Sequence, residues 1–260
     1  MVQPVPPTPS DPPKPVDSPP ALANRVLSLV PADEMQRLSP HLKRVQLEFD
    51  QVLLEFRGQI STVYFPETSI ASATMTMADG ATAEVASIGN DAAVGLSAWH
   101  GMPYSPVSVI CQVAGAAQAM SLDTLKREAA VLPGFADLLH RAHEAVSLQG
   151  MHTAACNALH PLEQRLARWL LITHDRLQVD TLPLTQQFLA FMLGVYRPSV
   201  TTVAQGLQRA GLIDYERGRV SILDRTGLER AVCECYRANA EATDALLPPH
   251  RNSGGAANRV

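Results

Sequence analysis

No run of apolar residues in this 260-residue chain approaches the ~18–20 needed to cross a bilayer. The first residues carry no basic stretch followed by an apolar one, so no secretory leader is expected and the expected compartment is the cytoplasm. An excess of positive charge is missing too. Charged residues make up 18% and the net charge is −4, so any nucleic-acid contact must come from a local patch. Cysteine is scarce. The four, Cys111, Cys156, Cys233 and Cys235, show neither Cys-x-x-Cys spacing nor a sequence cluster with histidine. Zinc and iron–sulfur sites usually show such spacing, so free thiols, no metal and no cofactor are expected. On a helix, Cys233 and Cys235 at i, i+2 would point apart, which disfavours a shared ligand.

What is present is apolar surface, 46% of residues, enough for a sizeable core, and proline, which crowds residues 1–20. That stretch cannot bury apolar area and is expected to form an extended tail, as is 248–260. Two short helical patterns flank Pro31. From Val45 to about Met120 the rhythm becomes strand-like, in VQLEFDQVLLEF, STVYFP, IASATMTM, ATAEVASI and VSVICQVAG, with a hairpin signal at Ala78-Asp79-Gly80. Many short strands with punctuating turns predict an antiparallel barrel or roll over 21–132. Ser121 has the character of a helix N-cap, and Pro133-Gly134 opens a long helix. Leu139, Val146 and Thr153 recur every seven residues, with Ala142, Gln149 and Cys156 beside them. This heptad-like seam is read as a dimerisation helix and hinge over 133–160, in preference to a helix packed on its own domain, because the strand domain alone should not need a helix this long. Pro161 starts a further helix with apolar Leu162, Leu166, Trp169 and Leu170, opening a C-terminal domain over 161–247.

The segment LTQQFLAFMLGVYRPSVTTVAQGLQRAGLI carries the most chemistry. Thr185 caps a helix with apolar Phe188, Leu189 and Met192, and Gly194 closes it as a left-handed C′ glycine. After Val195-Tyr196-Arg197, Pro198 stands in the first turn of a second helix, where a missing N–H costs nothing. Val200, Val203, Ala204 and Leu207 form one apolar stripe, while Ser199, Thr201, Thr202 and Gln205 face outward. This second helix, ending at Gly211, contains no acidic residue. A helix-turn-helix needs such parts, because the second helix must enter the major groove without bulk or negative charge. Leu212–Tyr215 and Val220–Leu223, joined by Glu216-Arg217-Gly218-Arg219, form a hairpin wing with a basic tip. Residues 181–230 hold six arginines against four acids, a local sign opposite to that of the chain.

In these residues, and in the order of strand roll, long helix and winged helix, the chain resembles the Crp/Fnr family of bacterial transcription regulators over roughly 21–247. The resemblance implies an α+β chain: an antiparallel β-roll like that of cyclic-nucleotide-binding domains, a long dimerisation helix and a C-terminal winged helix-turn-helix. It implies a sequence-specific regulator, not an enzyme, bound as a homodimer to near-palindromic double-stranded DNA, with RNA polymerase as a further partner. Arg197 falls at the position that pairs with O6 and N7 of guanine. Pro198 and Thr202 occupy the neighbouring base-reading positions, where the family often has glutamate and arginine, so a different target sequence is expected. Thr185, Gln187, Tyr196, Ser199, Thr201, Arg217 and Arg219 are the expected phosphate contacts, and Leu139, Ala142, Val146, Gln149 and Thr153 the expected dimer seam.

The sensor half departs from that pattern. Where the family's cyclic-nucleotide pocket has Gly-Glu-Leu and an arginine pair, this chain has Val94-Gly95-Leu96 and Ser105-Pro106. Gly95, Leu96, Ser97 and Ser105 therefore mark a degenerate pocket without the cation that a buried phosphate needs. Control by cAMP is not expected, which leaves an unidentified small-molecule effector. The family's iron–sulfur sensors need an N-terminal cysteine cluster, and no cysteine precedes Cys111. Within 45–120 only His100 and Cys111 could ligate haem, and His100, beside Trp99, is expected to be solvated, as are His140 and His143. Two rivals are weaker. A cupin-like enzyme would need clustered histidines and a glutamate on its strands, and residues 45–120 offer one histidine; a winged-helix scaffold that binds protein in place of DNA is the other, separated by a gel shift with promoter DNA.

Overall fold

The structure, a computed structural model, describes residues 24–249. The expected tails fall outside these residues, apart from Pro248 and Pro249. Buried Asn24 accepts hydrogen bonds from the N–H groups of Val26 and Leu27 and so caps α1 (Arg25–Ser28); α2 (Ala32–Leu38) follows Pro31. Seven strands come next: β1 (Lys43–Leu47), β2 (Val52–Leu54), β3 (Thr62–Pro66), β4 (Ile70–Thr76), β5 (Thr82–Ile88), β6 (Ser108–Val113) and β7 (Gly115–Ser121). They form two antiparallel sheets, ordered β1-β7-β3 and β2-β6-β4-β5. The hairpin between β4 and β5 turns at Asp79-Gly80, with Gly80 at φ +85° and the Asp79 carboxylate accepting from the Ala81 N–H at 3.0 Å.

VSVICQVAG is not one strand. The chain leaves the four-stranded sheet at Val113 and enters the three-stranded one at Gly115. A Cβ at Gly115 would sit 2.5 Å from the Thr68 carbonyl oxygen, so the crossing requires glycine. Phe65, Leu47, Met120 and Leu125 fill the space between the sheets and the helices that cover them.

Ser121 accepts from the Thr124 N–H and opens α3 (Leu122–Ala129). The long α4 (Pro133–Leu159) has no side-chain cap of its own. Glu34 of α2 supplies one, accepting from the N–H groups of Gly134 at 2.9 Å and Phe135 at 2.7 Å. Beyond it lie α5 (Leu162–Leu177), β8 (Thr181–Leu182), α6 (Gln186–Leu193), α7 (Arg197–Arg209), β9 (Ile213–Glu216), β10 (Arg219–Ile222), α8 (Arg225–Ala231) and α9 (Cys235–Leu246). A second core, with Leu166, Leu170, Leu189, Val200, Leu207 and Leu228, holds α5 to α8 and the sheet β8-β10-β9 together.

The last helix turns back. α9 packs along α4, and Leu246 and Leu247 join the first core, so the stretch expected as the winged domain ends on the roll side. This overturns the expected dimer seam. Leu139 and Ala142 are fully buried, Gln149 and Thr153 are 4% and 7% exposed, and Val146 is half-buried, all within one chain. The rhythm marks a packed face, but its partners are in the same chain: the roll core for Leu139 and Ala142, α9 beside Val146 and Gln149, and Arg168 of α5 for Thr153. The face of α4 left open carries Met151 and Leu159, 64% and 77% exposed, with Ala154, Ala155 and Ala158.

Polar side chains fasten the second unit to β5. The Arg176 guanidinium donates to both oxygens of Asp91, at 2.9 and 3.2 Å from Nε, and to Ser87 at 2.8 Å. The Glu84 carboxylate accepts from the Trp169 indole at 3.0 Å and from Ser72 at 2.6 Å. Burial pushes its pKa up, and Arg168 and Arg176 pull it back. Among the described residues no helix is long and apolar enough to cross a membrane.

His100, Trp99, His140 and His143 stack where the roll meets α4, with His100 and His143 ring centroids 4.1 Å apart and Trp99 and His140 4.2 Å apart. His100 and His140 are exposed, as expected, and His143 is half-buried; what the expectation lacks is that the rings pack on one another. Burial first, and neighbouring imidazoles second, hold His100 below the usual histidine range; burial does the same to His143. The unfolded chain therefore takes up protons first as pH falls, so stability present above pH ~6.5 is lost below it. Thermal unfolding followed from pH ~7.5 to ~5.5 is expected to show a falling midpoint, with a smaller fall in His143→Gln. An unchanged midpoint across that window would count against the cluster.

Candidate nucleic-acid interface

Two helices and a hairpin form the candidate surface. Thr185 accepts from the Phe188 N–H at 3.1 Å and caps α6. Gly194 ends it at φ +63°, and a Cβ there would lie 3.0 Å from that of Ala83 on β5. The turn returns through Val195, whose N–H donates to the Ala190 carbonyl at 3.0 Å, and Tyr196 precedes α7 in an extended conformation. Pro198 lies in the first turn. Val200, Ala204 and Leu207 bury one face of α7. The opposite face exposes Arg197, Pro198, Ser199, Thr202 and Gln205, and Tyr196 is 87% exposed at its start.

Arg197 has no ion pair or side-chain hydrogen bond among the described residues. Its positive charge lies close enough to Tyr215 to oppose the burial that pushes that phenol up to about 12. The Tyr215 hydroxyl donates to the Leu184 carbonyl at 2.9 Å and ties the wing to the start of α6. In the wing, Arg217 and Gly218 have φ of +50° and +75° and link β9 to β10 in a two-residue turn of the I′ kind. Arg217 and Arg219 stand exposed at its tip, Arg217 3.2 Å from Glu216.

Not every expected contact is free. Thr201 is half-buried, and its hydroxyl is 2.7 Å from Gln186 Oε1 and 3.2 Å from the Arg197 carbonyl. It braces α6 against α7 and does not present itself as a phosphate contact. Gln186 is the missed partner; its polarity gives no cue, because α6 exposes Gln187 next to it. Thr202 donates to the Pro198 carbonyl at 3.1 Å, leaving its oxygen outward as an acceptor. Thr185, Gln187 and Ser199 are exposed.

The degenerate pocket is occupied by its own chain. Gly95 has φ +94° and opens a short 3-10 turn, and a Cβ there would lie 3.1 Å from the Thr62 carbonyl oxygen. Leu96 is buried in the roll core, with Ser97 beside it. The Ser105 hydroxyl, 1% exposed, donates to the Val107 carbonyl at 2.6 Å. The cysteines depart from expectation as well. Cys233 precedes α9, so it and Cys235 need not diverge, and both meet Cys156 and His160. The spacing Cys156-x-x-x-His160, one helical turn, is the sequence cue for this gathering.

Residues 164–231 match the family model described as the Crp-like helix-turn-helix domain. Those residues therefore form a Crp-like helix-turn-helix domain. Its fold is that of FixK2 from Bradyrhizobium japonicum, with a TM-score of 0.64 and 15% identity over 74% of this chain and 98% of that one. It is also that of a CRP-family regulator from Thermus thermophilus, with a TM-score of 0.60 and 21% identity over 72% and 95% of the two chains. The c-di-GMP responsive regulator CLP of Xanthomonas campestris aligns at a TM-score of 0.60 and 17% identity, covering 75% of this chain and 100% of that one. No curated protein sequence matches the chain. Calorimetry of the full chain with cAMP is expected to show no saturable heat at micromolar protein, since Ser105 offers no charge to a phosphate; micromolar affinity would overturn this.

Proposed function

We propose that this chain is a Crp/Fnr-type transcription regulator that binds near-palindromic double-stranded DNA as a homodimer, with α7 in the major groove, in the cytoplasm. The observation that carries the reading is the unpaired Arg197 at the start of an acid-free helix, flanked by a basic wing. Arg197 pairs with guanine O6 and N7. Pro198 offers no hydrogen bond and Thr202 offers an outward hydroxyl oxygen, so the preferred site differs from that of family members with glutamate and arginine there. Thr185, Gln187, Tyr196, Ser199, Arg217 and Arg219 surround α7 and contact phosphates. RNA polymerase is the further partner, and the signal is an effector other than cAMP. The exposed, acid-free α7 face and the basic wing favour this over an enzyme or a protein-binding scaffold.

Dimerisation uses the open face of α4, with Met151, Ala155 and Leu159, which follows a helical spacing and is uncovered in one chain. It holds two α7 helices about one DNA turn, ~34 Å, apart. The roll acts on DNA affinity by changing the angle at Leu159-His160-Pro161.

In gel shifts on a site found by selection from random DNA, Arg197→Ala is expected to weaken binding ~10-fold or more and to relax preference at one base pair of each half-site. Equal binding by wild type and variant, or binding that ignores salt, rejects the DNA reading. By light scattering, Met151→Glu with Ala155→Glu is expected to give monomers from a dimeric wild type while far-UV circular dichroism stays unchanged. A double variant that remains dimeric rejects this face.

A further inference from the structure

Where the hinge meets the last helix, three thiols and an imidazole converge from two distant segments. Cys156 ends the inward face of α4, His160 follows it at the C-cap, and Cys233 and Cys235 bracket the start of α9. Their ligand atoms all lie within 4.8 Å of one another. Cys156 is fully buried, and Cys233 and Cys235 are 4% and 8% exposed. Apart from half-buried Val232, these cysteines form a small cluster of their own, separate from the two main cores.

The spacing is that of a coordination sphere. Around a tetrahedral zinc ion with Zn–S of ~2.3 Å and Zn–N of ~2.0–2.1 Å, two sulfurs lie ~3.8 Å apart and a sulfur and a nitrogen ~3.6 Å apart. Here Cys156 Sγ and Cys233 Sγ are 3.6 Å apart, and Cys235 Sγ is 3.6 Å from His160 Nδ1. The other imidazole nitrogen, Nε2, lies 3.3 Å from Glu234 Oε1. A carboxylate holding the far N–H of a ligating histidine selects the tautomer that presents Nδ1 inward. Simple packing of small side chains requires neither that histidine nor that carboxylate.

We propose that Cys156, His160, Cys233 and Cys235 bind one divalent zinc-class ion and that the ion locks the end of α4 to α9 across the hinge. Without a cation, burial and mutual proximity push the Cys233 thiol up to about 12 and raise Cys235. A dication reverses that: binding releases three thiol protons to solvent and leaves three thiolates and a neutral imidazole around the ion. The site then carries one net negative charge. Arg165 offsets it, being within electrostatic reach of Cys156 while its Nε donates to Asn157 Oδ1 at 3.0 Å. Its terminal nitrogen also donates to the Leu193 carbonyl at the end of α6. Occupancy is thereby connected to the first helix of the helix-turn-helix. An effect on DNA affinity rests on the DNA-binding reading above; the site itself does not.

The test uses the full chain, reduced and stripped of metal, with no DNA present. Titration with Co²⁺ is expected to saturate at one ion per chain, with thiolate-to-cobalt charge transfer and the intense ligand-field bands of a tetrahedral centre, and Zn²⁺ is expected to displace it. Zn²⁺ is also expected to protect Cys156, Cys233 and Cys235 of the wild-type chain from alkylation, mapped by mass spectrometry, which requires no variant to fold. Glu234→Gln is expected to weaken binding ~10-fold, as loss of a histidine-orienting partner does. Cobalt spectra without thiolate bands, bands unchanged in Cys233→Ser, or Zn²⁺ that protects none of the three thiols would overturn the proposal. So would a Cys156–Cys233 disulfide in the aerobically purified chain that forms equally with and without saturating Zn²⁺, which would make the cluster a redox pair.

Discussion

The close packing of α9 against the inward face of α4 is the constraint on which most of the molecule depends. Ala142, Ala145, Gln149, Thr153 and Cys156 keep that face small enough for a second helix to lie on it. Once it does, the remaining face of α4 is the only one open to another chain. The same contact draws the end of α9 into the roll core at Leu247 and sets its start, with Cys233 and Cys235, against Cys156 and His160. Two side chains from α5 then fasten the winged unit to β5 and the segment after it, through Trp169 on Glu84 and Arg176 on Asp91. Roll, long helix and winged helix thus meet along one spine.

Electrostatics divides the labour differently. Several cations are paired within the fold: Arg176 with Asp91, Arg225 with Asp175 and Glu229, Arg44 with Glu67. Such pairs orient elements and leave no net attraction for a polyanion. Arg197 is different, because α7 has no acid and its neighbours in the turn are Tyr196 and Pro198. In an acidic chain, a cation kept unpaired at a helix start concentrates positive potential where the fold exposes it. The turn glycine and Pro198 hold that position by backbone conformation.

The elements governed by local rules are legible in the amino-acid order. Ser121, Thr185, Gly194 and Asp79-Gly80 do what capping and turn chemistry require of them, and the acid-free second helix with its basic wing points to the helix-turn-helix. A pattern misleads where it leaves its partner open. The seven-residue rhythm of Leu139, Val146 and Thr153 is equally compatible with a helix from the same chain, and α9, far along the sequence, leaves no trace in that rhythm. Thr201 reads as outward because polar residues usually are; the side chain that claims it, Gln186, belongs to another helix.

The cysteines show the division most clearly. Sequence by itself supplied the candidate ligands, with Cys156 and His160 four positions apart, but no spacing that unites them with Cys233 and Cys235. Only tertiary structure brought Cys233 to within 3.6 Å of Cys156 across 77 residues, because α9 folds back onto α4 and begins after Cys233. Caps, turns and helix faces follow from interactions within a few residues, so the order of amino acids determines them. Which buried face meets which depends on the burial of the whole chain at once, and that the fold decided.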